Sequence, residues 1–277
     1  MYQVLALDLD GTVLNSEHGI HPEVKAAIRE AKEVCHVVLV TGRHHTAAKP
    51  YYEELGLDTP AICCNGTYVY DYHNHKVLSE NSIAKENARK FLELANEHQM
   101  KAVLYVTHSM LYSRSQPIDY MHALEKWACG FEGEKKPDIR KIDCFEKEIN
   151  DAEYIWKFVI EGEPESIARI EELDFVKQNF SGERSWSNRV DFANKGNAKG
   201  TRLAEYLDQN GFKPEQVMAV GDNHNDISMI QLAGLGVAMQ NADDKVKQAA
   251  DIVCETDNNT GGLARLIRTN IRGLNND

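Results

Sequence analysis

The sequence lacks the hallmarks of several protein classes. Across 277 residues, no apolar run reaches the roughly 18 residues that a membrane-spanning helix needs, so we expect no membrane span. Basic residues number 31 against 43 acidic ones, and the net charge of −12 argues against nucleic acid as a partner, because phosphate backbones bind basic surfaces. The six cysteines form no Cys-x-x-Cys pair, and no secretory leader pattern opens the sequence. We therefore expect a reduced, cytoplasmic protein that does not bind membranes.

The sequence does contain short apolar runs that alternate with amphipathic stretches. Apolar runs bounded by turn signals indicate buried strands at residues 4–7, 37–40, 61–64, 217–220, 236–239 and 252–254. Helices are predicted between them, at residues 22–34, 46–55, 199–210, 227–232 and 242–250. Pro50 is expected to break or kink the second helix, Asn65-Gly66 to form a turn, and residues 68–78 to form a hairpin. Strands that alternate with helices imply a parallel sheet. The predicted fold class is α/β, with a doubly wound, Rossmann-like parallel sheet.

The pattern changes between residues 81 and 193, where the chain is more charged and its apolar runs are less continuous. Helices are predicted here at residues 85–99, 118–128 and 164–175, and strands at 102–107, 110–113, 154–160 and 189–193. The charged segment 130–141 is expected to be a surface loop. Since strands and helices do not alternate regularly, this is an α+β pattern, and we interpret residues 81–193 as a second domain. It would be inserted into a core formed by residues 1–80 and 194–277.

Polar side chains follow three of the predicted core strands. Together with one lysine at the start of a predicted helix, they are Asp8, Asp10, Thr41, Gly42, Lys199, Asp222, Asn225 and Asp226. The carboxyl ends of parallel strands share one edge of a sheet, so these groups can meet there. Neighbouring carboxylates repel unless a cation or proton joins them, and Mg²⁺ prefers oxygen ligands. Hydroxyl, amide, ammonium and backbone N–H groups suit a phosphate, so the set fits phosphoryl transfer.

Some of these signals have simpler interpretations. The two acids after the first strand alone would fit a solvated turn. Lys195 precedes a glycine just as Lys199 does, and the two compete for the phosphate-binding role. Arg43 suits either a substrate contact or pairing with an acid of the core. His44 and His45 lack the further converging ligands that a zinc site needs, so a structural position or one at the rim of the site is favoured.

In chain order, the motifs are Asp8-Leu9-Asp10-Gly11-Thr12, Thr41-Gly42-Arg43, Lys199 and Gly221-Asp222-Asn223-x-Asn225-Asp226. They resemble the four motifs of the haloacid dehalogenase superfamily, and four motifs in the right order are specific where one is not. The long insert resembles the large α/β cap of the Cof-like branch of that superfamily. The resemblance covers essentially the whole chain. It implies a Mg²⁺-dependent phosphatase whose cap selects a small phosphorylated metabolite.

The resemblance also implies a role for each motif residue. Asp8 would be the nucleophile that forms an aspartyl-phosphate, and Asp10 would be first a general acid and then a general base. Mg²⁺ would be held by the carboxylate of Asp8, the backbone carbonyl of Asp10 and the carboxylate of Asp222. Asp226 would contact these ligands without binding the ion itself. The phosphate would be bound by Thr41, Gly42, Lys199, Asn225 and the backbone of Leu9.

Longer runs carry a narrower resemblance. The segments 41–45, 57–68, 156–158 and 221–229 are similar to the bacterial pyridoxal phosphatases, a group within the Cof-like branch. This implies pyridoxal 5′-phosphate as the substrate. A sugar-phosphate phosphatase, or a phosphotransferase or mutase on the same fold, remains the main alternative. A non-catalytic module that binds phosphorylated metabolites is a more remote one, since it has no need of both Asp8 and Asp10.

Overall fold

A computed structural model describes residues 2–186 and 188–271. The chain divides into two compact units. The core unit comprises Met1–Arg43, Tyr51–Ser79 and Ala198–Asp277, and the insert unit comprises His44–Pro50 and Glu80–Asn197. The domain boundaries expected from the sequence, 1–80 with 194–277 and 81–193, stay a prediction.

The secondary structure follows the alternation expected for an α/β protein. The strands are β1 Val4–Leu7, β2 His36–Leu39, β3 Ala61–Cys63, β4 Tyr68–Asp71, β5 Lys76–Glu80, β6 Lys101–Val106, β7 Met110–Ser113, β8 Ile139–Ile142, β9 Ile155–Glu161, β10 Phe180–Trp186, β11 Arg189–Asn194, β12 Val217–Gly221, β13 Leu235–Ala238 and β14 Ile252–Val253. The helices are α1 Pro22–Lys32, α2 His45–Leu55, α3 Lys85–Glu97, α4 Asp119–Ala128, α5 Phe145–Asp151, α6 Pro164–Glu172, α7 Asp174–Asn179, α8 Lys199–Gln209, α9 Ile227–Leu232, α10 Asp244–Ala249 and α11 Gly262–Asn270.

The core unit is built on a five-stranded sheet in the order β14-β13-β12-β1-β2, and every pairing in it is parallel. Counted along the chain, its strands lie in the order 2-1-3-4-5, the doubly wound arrangement. The direction of winding reverses between β1 and β12. A crevice forms at the carboxyl edge of such a sheet where the winding reverses, and ligands bind there.

Burial explains why β1 and β12 are apolar throughout. Strand β14, expected to be buried, is exposed at both of its residues. Strand β1 is fully buried, and β12 is buried along its whole length. On one face of the sheet, side chains of β1, β2 and β12 pack with Leu203, Tyr206 and Leu207 of α8. A parallel strand covered on both faces needs apolar side chains at every position, and for that reason it reads as a continuous apolar run.

A short antiparallel sheet, β3-β4-β5, also belongs to the core unit. It contains the hairpin predicted at residues 68–78, and a parallel bridge between Val40 and Ile62 links β3 to the segment after β2. Helix α2 runs through Pro50, where the sequence predicted a break or kink. Pro50 is its sixth residue.

The insert unit contains a six-stranded, mostly antiparallel sheet in the order β10-β11-β9-β6-β7-β8. Helices α3, α5, α6 and α7 cover one face of it. The residues buried there include Phe91, Leu104, Phe158, Ile170 and Phe192. The insert unit therefore has a hydrophobic core of its own.

Two sequence-based predictions within the insert unit are wrong in detail. The segment 130–141, expected to be a loop, contributes the start of β8, an edge strand with two exposed basic residues at its centre. Charges on an edge strand protect it from pairing with other chains, and they hide the apolar pattern. The single helix expected at 164–175 is two helices, because Leu173 takes an extended backbone conformation between α6 and α7.

None of the helices in the described ranges has the length and apolar character needed to cross a membrane.

Candidate active site

The structure brings the predicted polar groups of the core unit to one edge of its sheet. Asp8 and Asp10 follow β1, Thr41 and Gly42 follow β2, and the acids of the last motif follow β12. Because β12, β1 and β2 are neighbouring parallel strands, their carboxyl ends lie side by side. The groups therefore meet where the winding of the sheet reverses.

Lys199 joins two of these acids. Its Nζ donates hydrogen bonds of 2.6 Å to Asp8 Oδ1 and 2.6 Å to Asp226 Oδ1, and its side chain has no exposed surface. Burial alone would lower the pKa of Lys199, but the two carboxylates outweigh it and raise that pKa. Lys199 thus stays charged. Lys195, its competitor in the sequence, is exposed and belongs to the insert unit.

Asp226 orders the loop that follows β12. Its Oδ2 accepts hydrogen bonds of 3.0 Å from the backbone N–H groups of Asp222 and Asn223. A Cβ on Gly221 would lie 2.4 Å from the side chain of Asp226, so glycine is needed for this close approach. With Lys199 on the other oxygen, both oxygens of Asp226 have donors. Its role in this structure is to hold the loop and Lys199 in place.

Three carboxylates form a cluster: oxygens of Asp8, Asp222 and Asp226 lie within 4.8 Å of one another. Burial raises the pKa of Asp8 well above its usual value, with Lys199 opposing and the neighbouring acids adding to the rise. Burial, followed by the charge of Asp226, raises the pKa of Asp222 to about 7. One ammonium cannot balance three clustered carboxylates, two of them buried and that of Asp222 partly buried. The donor set therefore fits a divalent cation with oxygen ligands.

Two further residues shape the cluster. Thr12 Oγ1 donates a 2.8 Å hydrogen bond to Asp222 Oδ1. Gly11 has a positive φ of 83°, and a Cβ there would lie 2.2 Å from Asp222 Oδ2. Glycine at this position allows both the turn after β1 and the approach of Asp222 to it. Both residues belong to the first motif, but the sequence assigned them no contact.

Asp10 is paired with Arg43 by two hydrogen bonds. Arg43 Nε lies 2.7 Å from Asp10 Oδ2, and its second terminal nitrogen lies 2.6 Å from Oδ1. Desolvation would raise the pKa of Asp10, but the charge and hydrogen bonds of Arg43 lower it overall. Of the two interpretations of Arg43, the structure shows pairing with a core acid. The guanidinium also lies over the ring of Tyr51, 4.9 Å from its centroid.

Apart from Lys199 at the start of α8, the predicted phosphate-binding residues lie in the segments after β1, β2 and β12. Leu9 is buried, and its carbonyl accepts from the N–H groups of Thr12 and Leu14. Thr41 is buried, and its Oγ1 accepts a 3.1 Å hydrogen bond from the N–H of Arg43. Asn225 Nδ2 donates a 2.9 Å hydrogen bond to Asn65 Oδ1.

Sequence reasoning missed two residues that support this region. Asn65 is buried and contacts Asn225, although the sequence marked it only as a turn residue. Arg202 donates a 3.0 Å hydrogen bond from Nε to the carbonyl of Gly66. It lies three residues after Lys199 on α8, so helical spacing places both on one face, and that spacing was the signal available for it.

His44 and His45 are buried in the insert unit. His44 Nε2 donates a 2.9 Å hydrogen bond to the carbonyl of Val106, and its Nδ1 accepts from the backbone N–H of Thr46. Burial lowers the pKa of His44 to about 3, so the ring is neutral. Among the described residues, the one metal-competent cluster is that of the three aspartates. The structural interpretation of His44 therefore fits its contacts.

Residues 5–267 match the model for haloacid dehalogenase-like hydrolases, and the chain belongs to that family. Its fold class, a parallel-sheet α/β core with a separate inserted domain, is confirmed, and it is a phosphatase.

Individual relatives and structures agree with this assignment. The chain is 38% identical over 273 residues to the pyridoxal phosphate phosphatase YbhA of Escherichia coli, covering 97% of this chain and 98% of that protein. It is 31% identical to the 5-amino-6-(5-phospho-D-ribitylamino)uracil phosphatase YcsE of Bacillus subtilis, covering 96% of this chain and 94% of that one. A haloacid dehalogenase-like hydrolase of Bacteroides thetaiotaomicron aligns with a TM-score of 0.82 and 26% identity, over 97% of this chain and 99% of the other.

Proposed function

We propose that this phosphatase hydrolyses small phosphate monoesters with Mg²⁺, through an aspartyl-phosphate, and that pyridoxal 5′-phosphate is its main substrate. The observation that carries the mechanism is the cluster of Asp8, Asp222 and Asp226, in which the two buried acids, Asp8 and Asp226, share a single lysine. Such a cluster is costly to bury unless a cation balances its negative charge.

The residues present fit a magnesium ion. Asp226 already has donors on both oxygens, which leaves Asp8 and Asp222 as the carboxylates that would hold the ion, with the backbone carbonyl of Asp10. When bound, the ion would neutralise charge on the phosphate and on the two carboxylates. The ligand atoms also support Mg²⁺, because carboxylate and carbonyl oxygens are the ligands that it prefers.

In the first step, a carboxylate oxygen of Asp8 attacks phosphorus, and the bond from phosphorus to the ester oxygen breaks. Asp10 gives its proton to that leaving oxygen. In the second step, Asp10 takes a proton from water, whose oxygen attacks phosphorus and releases Asp8 and inorganic phosphate. In this structure, Arg43 keeps Asp10 ionised. The acid role therefore requires the contact between Asp10 and Arg43 to loosen when the ester binds.

Binding of the phosphate is assigned to groups around Asp8. They are Thr41, Gly42, Lys199, Asn225 and the backbone of Leu9. Lys199 would supply a fixed positive charge, since its pKa is raised and its Nζ already touches the nucleophile. The remaining groups would supply neutral donors that place the phosphorus in line with Asp8.

The substrate proposal depends on the relative that hydrolyses pyridoxal phosphate, which spans nearly the whole chain at 38% identity. Other relatives at 31% are named for different substrates or none. The test is phosphate release with Mg²⁺ from pyridoxal 5′-phosphate, several sugar phosphates and a ribitylaminouracil phosphate. Asp8→Asn should abolish release, and Asp208→Asn, an exposed aspartate on α8, is the control.

The outcomes separate the alternatives. Release confined to sugar phosphates would keep the mechanism and discard the substrate. Phosphate passed to an added acceptor, with none released in its absence, would indicate a phosphotransferase or mutase. A wild-type protein that binds esters without turning them over, and that Asp8→Asn leaves unchanged, would indicate a binding module.

A further inference from the structure

Three consecutive residues of the core unit take left-handed backbone conformations. Their φ angles are 49° at Cys64, 57° at Asn65 and 88° at Gly66. Residues with a Cβ rarely adopt this region, and a run containing two of them persists only where the surroundings hold it. Asparagine tolerates the region better than most residues, and glycine best.

Backbone hydrogen bonds hold this turn against the segment that follows β2. The N–H of Cys64 donates to the carbonyl of Arg43 at 3.0 Å, and the N–H of Asn65 donates to the carbonyl of Thr41 at 3.1 Å. The turn thus fixes the backbone of the second motif from both sides of Gly42.

The same turn packs against the start of α8. A Cβ on Gly66 would lie 2.2 Å from the carbonyl oxygen of Ala198 and 3.1 Å from the backbone nitrogen of Lys199. Arg202 holds the carbonyl of Gly66 from the next turn of that helix. The position of the lysine that touches Asp8 therefore depends on this turn.

The side chain of Asn65 lies between two more groups of the site. Its Oδ1 accepts the 2.9 Å hydrogen bond from Asn225 Nδ2. A Cβ on Gly42 would lie 2.8 Å from that same oxygen. Oδ1 of Asn225 is buried, with no hydrogen-bond partner among the described residues. The bond to Asn65 thus orients the Asn225 amide.

We propose that Asn65 is a positioning residue of the phosphate site, which acts by orienting Asn225 and the Gly42 backbone toward the bound phosphate. The proposal rests on the proposed function, because it assigns Asn225 and Gly42 to the phosphate. A purely structural alternative is that asparagine stands here only because it tolerates the left-handed backbone. The two readings differ in whether the amide matters.

Asn65→Gly separates them, since glycine keeps the left-handed conformation and removes the amide. His75→Gly is the matched control: His75 is exposed in the β4–β5 turn and also has a positive φ, of 51°. The probe is inorganic phosphate, with its affinity measured by calorimetry in the presence of Mg²⁺ beside thermal unfolding of each variant. We expect Asn65→Gly to weaken phosphate binding about tenfold, the usual effect of one lost hydrogen bond, while both variants stay fully folded at the temperature of the titration.

A double-mutant cycle with Asn225→Ala tests how Asn65 acts. If it acts through Asn225, adding Asn65→Gly to Asn225→Ala should weaken phosphate binding by less than about twofold. Asn65→Asp is the second variant. It keeps the accepting oxygen, so its phosphate affinity should still depend on Asn225, whereas that of Asn65→Gly should not.

Three results would overturn the proposal. They are unchanged phosphate affinity in Asn65→Gly, fully multiplicative effects in the cycle, and a loss of affinity that partial unfolding of Asn65→Gly at the titration temperature accounts for. Phosphate binding is measured without turnover. A wild-type protein that hydrolyses no ester would therefore defeat the proposed function while this comparison still decides the role of Asn65.

Discussion

Lys199→Met should destabilise the core unit more than any exposed charge change, because it leaves two buried carboxylates without their shared partner. At 2.6 Å and an effective dielectric constant of about 20, each contact is a gross attraction of about 6 kcal/mol. Burial of the ammonium offsets much of this. Removing one partner of a buried ion pair usually costs about 3–5 kcal/mol of unfolding free energy.

Protonation sets an independent limit on this cost. An orphaned carboxylate can take up a proton at about 1.4 kcal/mol for each unit between its usual pKa and the pH, or about 4 kcal/mol at pH 7. The two estimates agree, and they correspond to a fall in unfolding temperature of roughly 6–20 °C. Protonation is easier at low pH. The folded variant then binds more protons than its unfolded chain, so the loss should shrink as the pH falls from 8 to 5.5.

The assay is thermal unfolding followed by circular dichroism in a chelator at both pH values. Lys195→Met is the matched control, since Lys195 also precedes a glycine but is exposed and should change stability by less than about 0.5 kcal/mol. Equal losses in the two variants would refute the reasoning, as would a loss for Lys199→Met that does not depend on pH.

Three more outcomes are expected. Without a divalent cation, the unfolding temperature should fall as the pH rises from about 4 to 7, because the raised pKa of Asp222 gives the folded state an extra proton over that range. Saturating Mg²⁺ should make the unfolding temperature independent of pH over the same range, and a flat profile in chelator would contradict the prediction. Gly11→Ala should abolish stabilisation by Mg²⁺, because a Cβ there meets Asp222. Gly56→Ala is the control: it also has a positive φ but open space around it, and it should cost only about 1 kcal/mol of unfolding free energy. Calorimetric titration with Mg²⁺ separates the two variants. Arg43→Gln should move the acid limb of the pH–rate profile to higher pH, because Arg43 lowers the pKa of Asp10, and an unmoved limb would exclude Asp10 as the base.

The sheet of the core unit was predictable because one physical cause shapes both its sequence and its structure. Strands buried on both faces must be apolar at every position, and polar residues can follow only where a strand leaves the sheet. The motif residues after β1, β2 and β12 therefore marked the strand ends, and parallel pairing placed those ends together.

The insert unit was less predictable for the opposite reason. Strand β8 lies at an edge with Arg140 and Lys141 exposed, so neither a continuous run nor a clean alternation marks it. The break between α6 and α7 falls at Leu173, a good helix former, with no glycine or proline to announce it. Strand β8 and the break between α6 and α7 depend on tertiary packing, which the periodicity of a single sequence does not show.

Asn65 shows what kind of functional residue escapes a reading of the sequence. Asparagine followed by glycine is a common turn signal, so nothing in the local sequence calls for a further role of Asn65. Its side-chain role arises only because folding brings the turn after β3 against Gly42 and Asn225, the latter 160 residues further along the chain. The motif residues could be predicted because their residue types and their positions, acids and a lysine at strand and helix ends, are visible in the sequence itself. A positioning residue has no such local mark, since what it does is defined by the partners that the fold supplies.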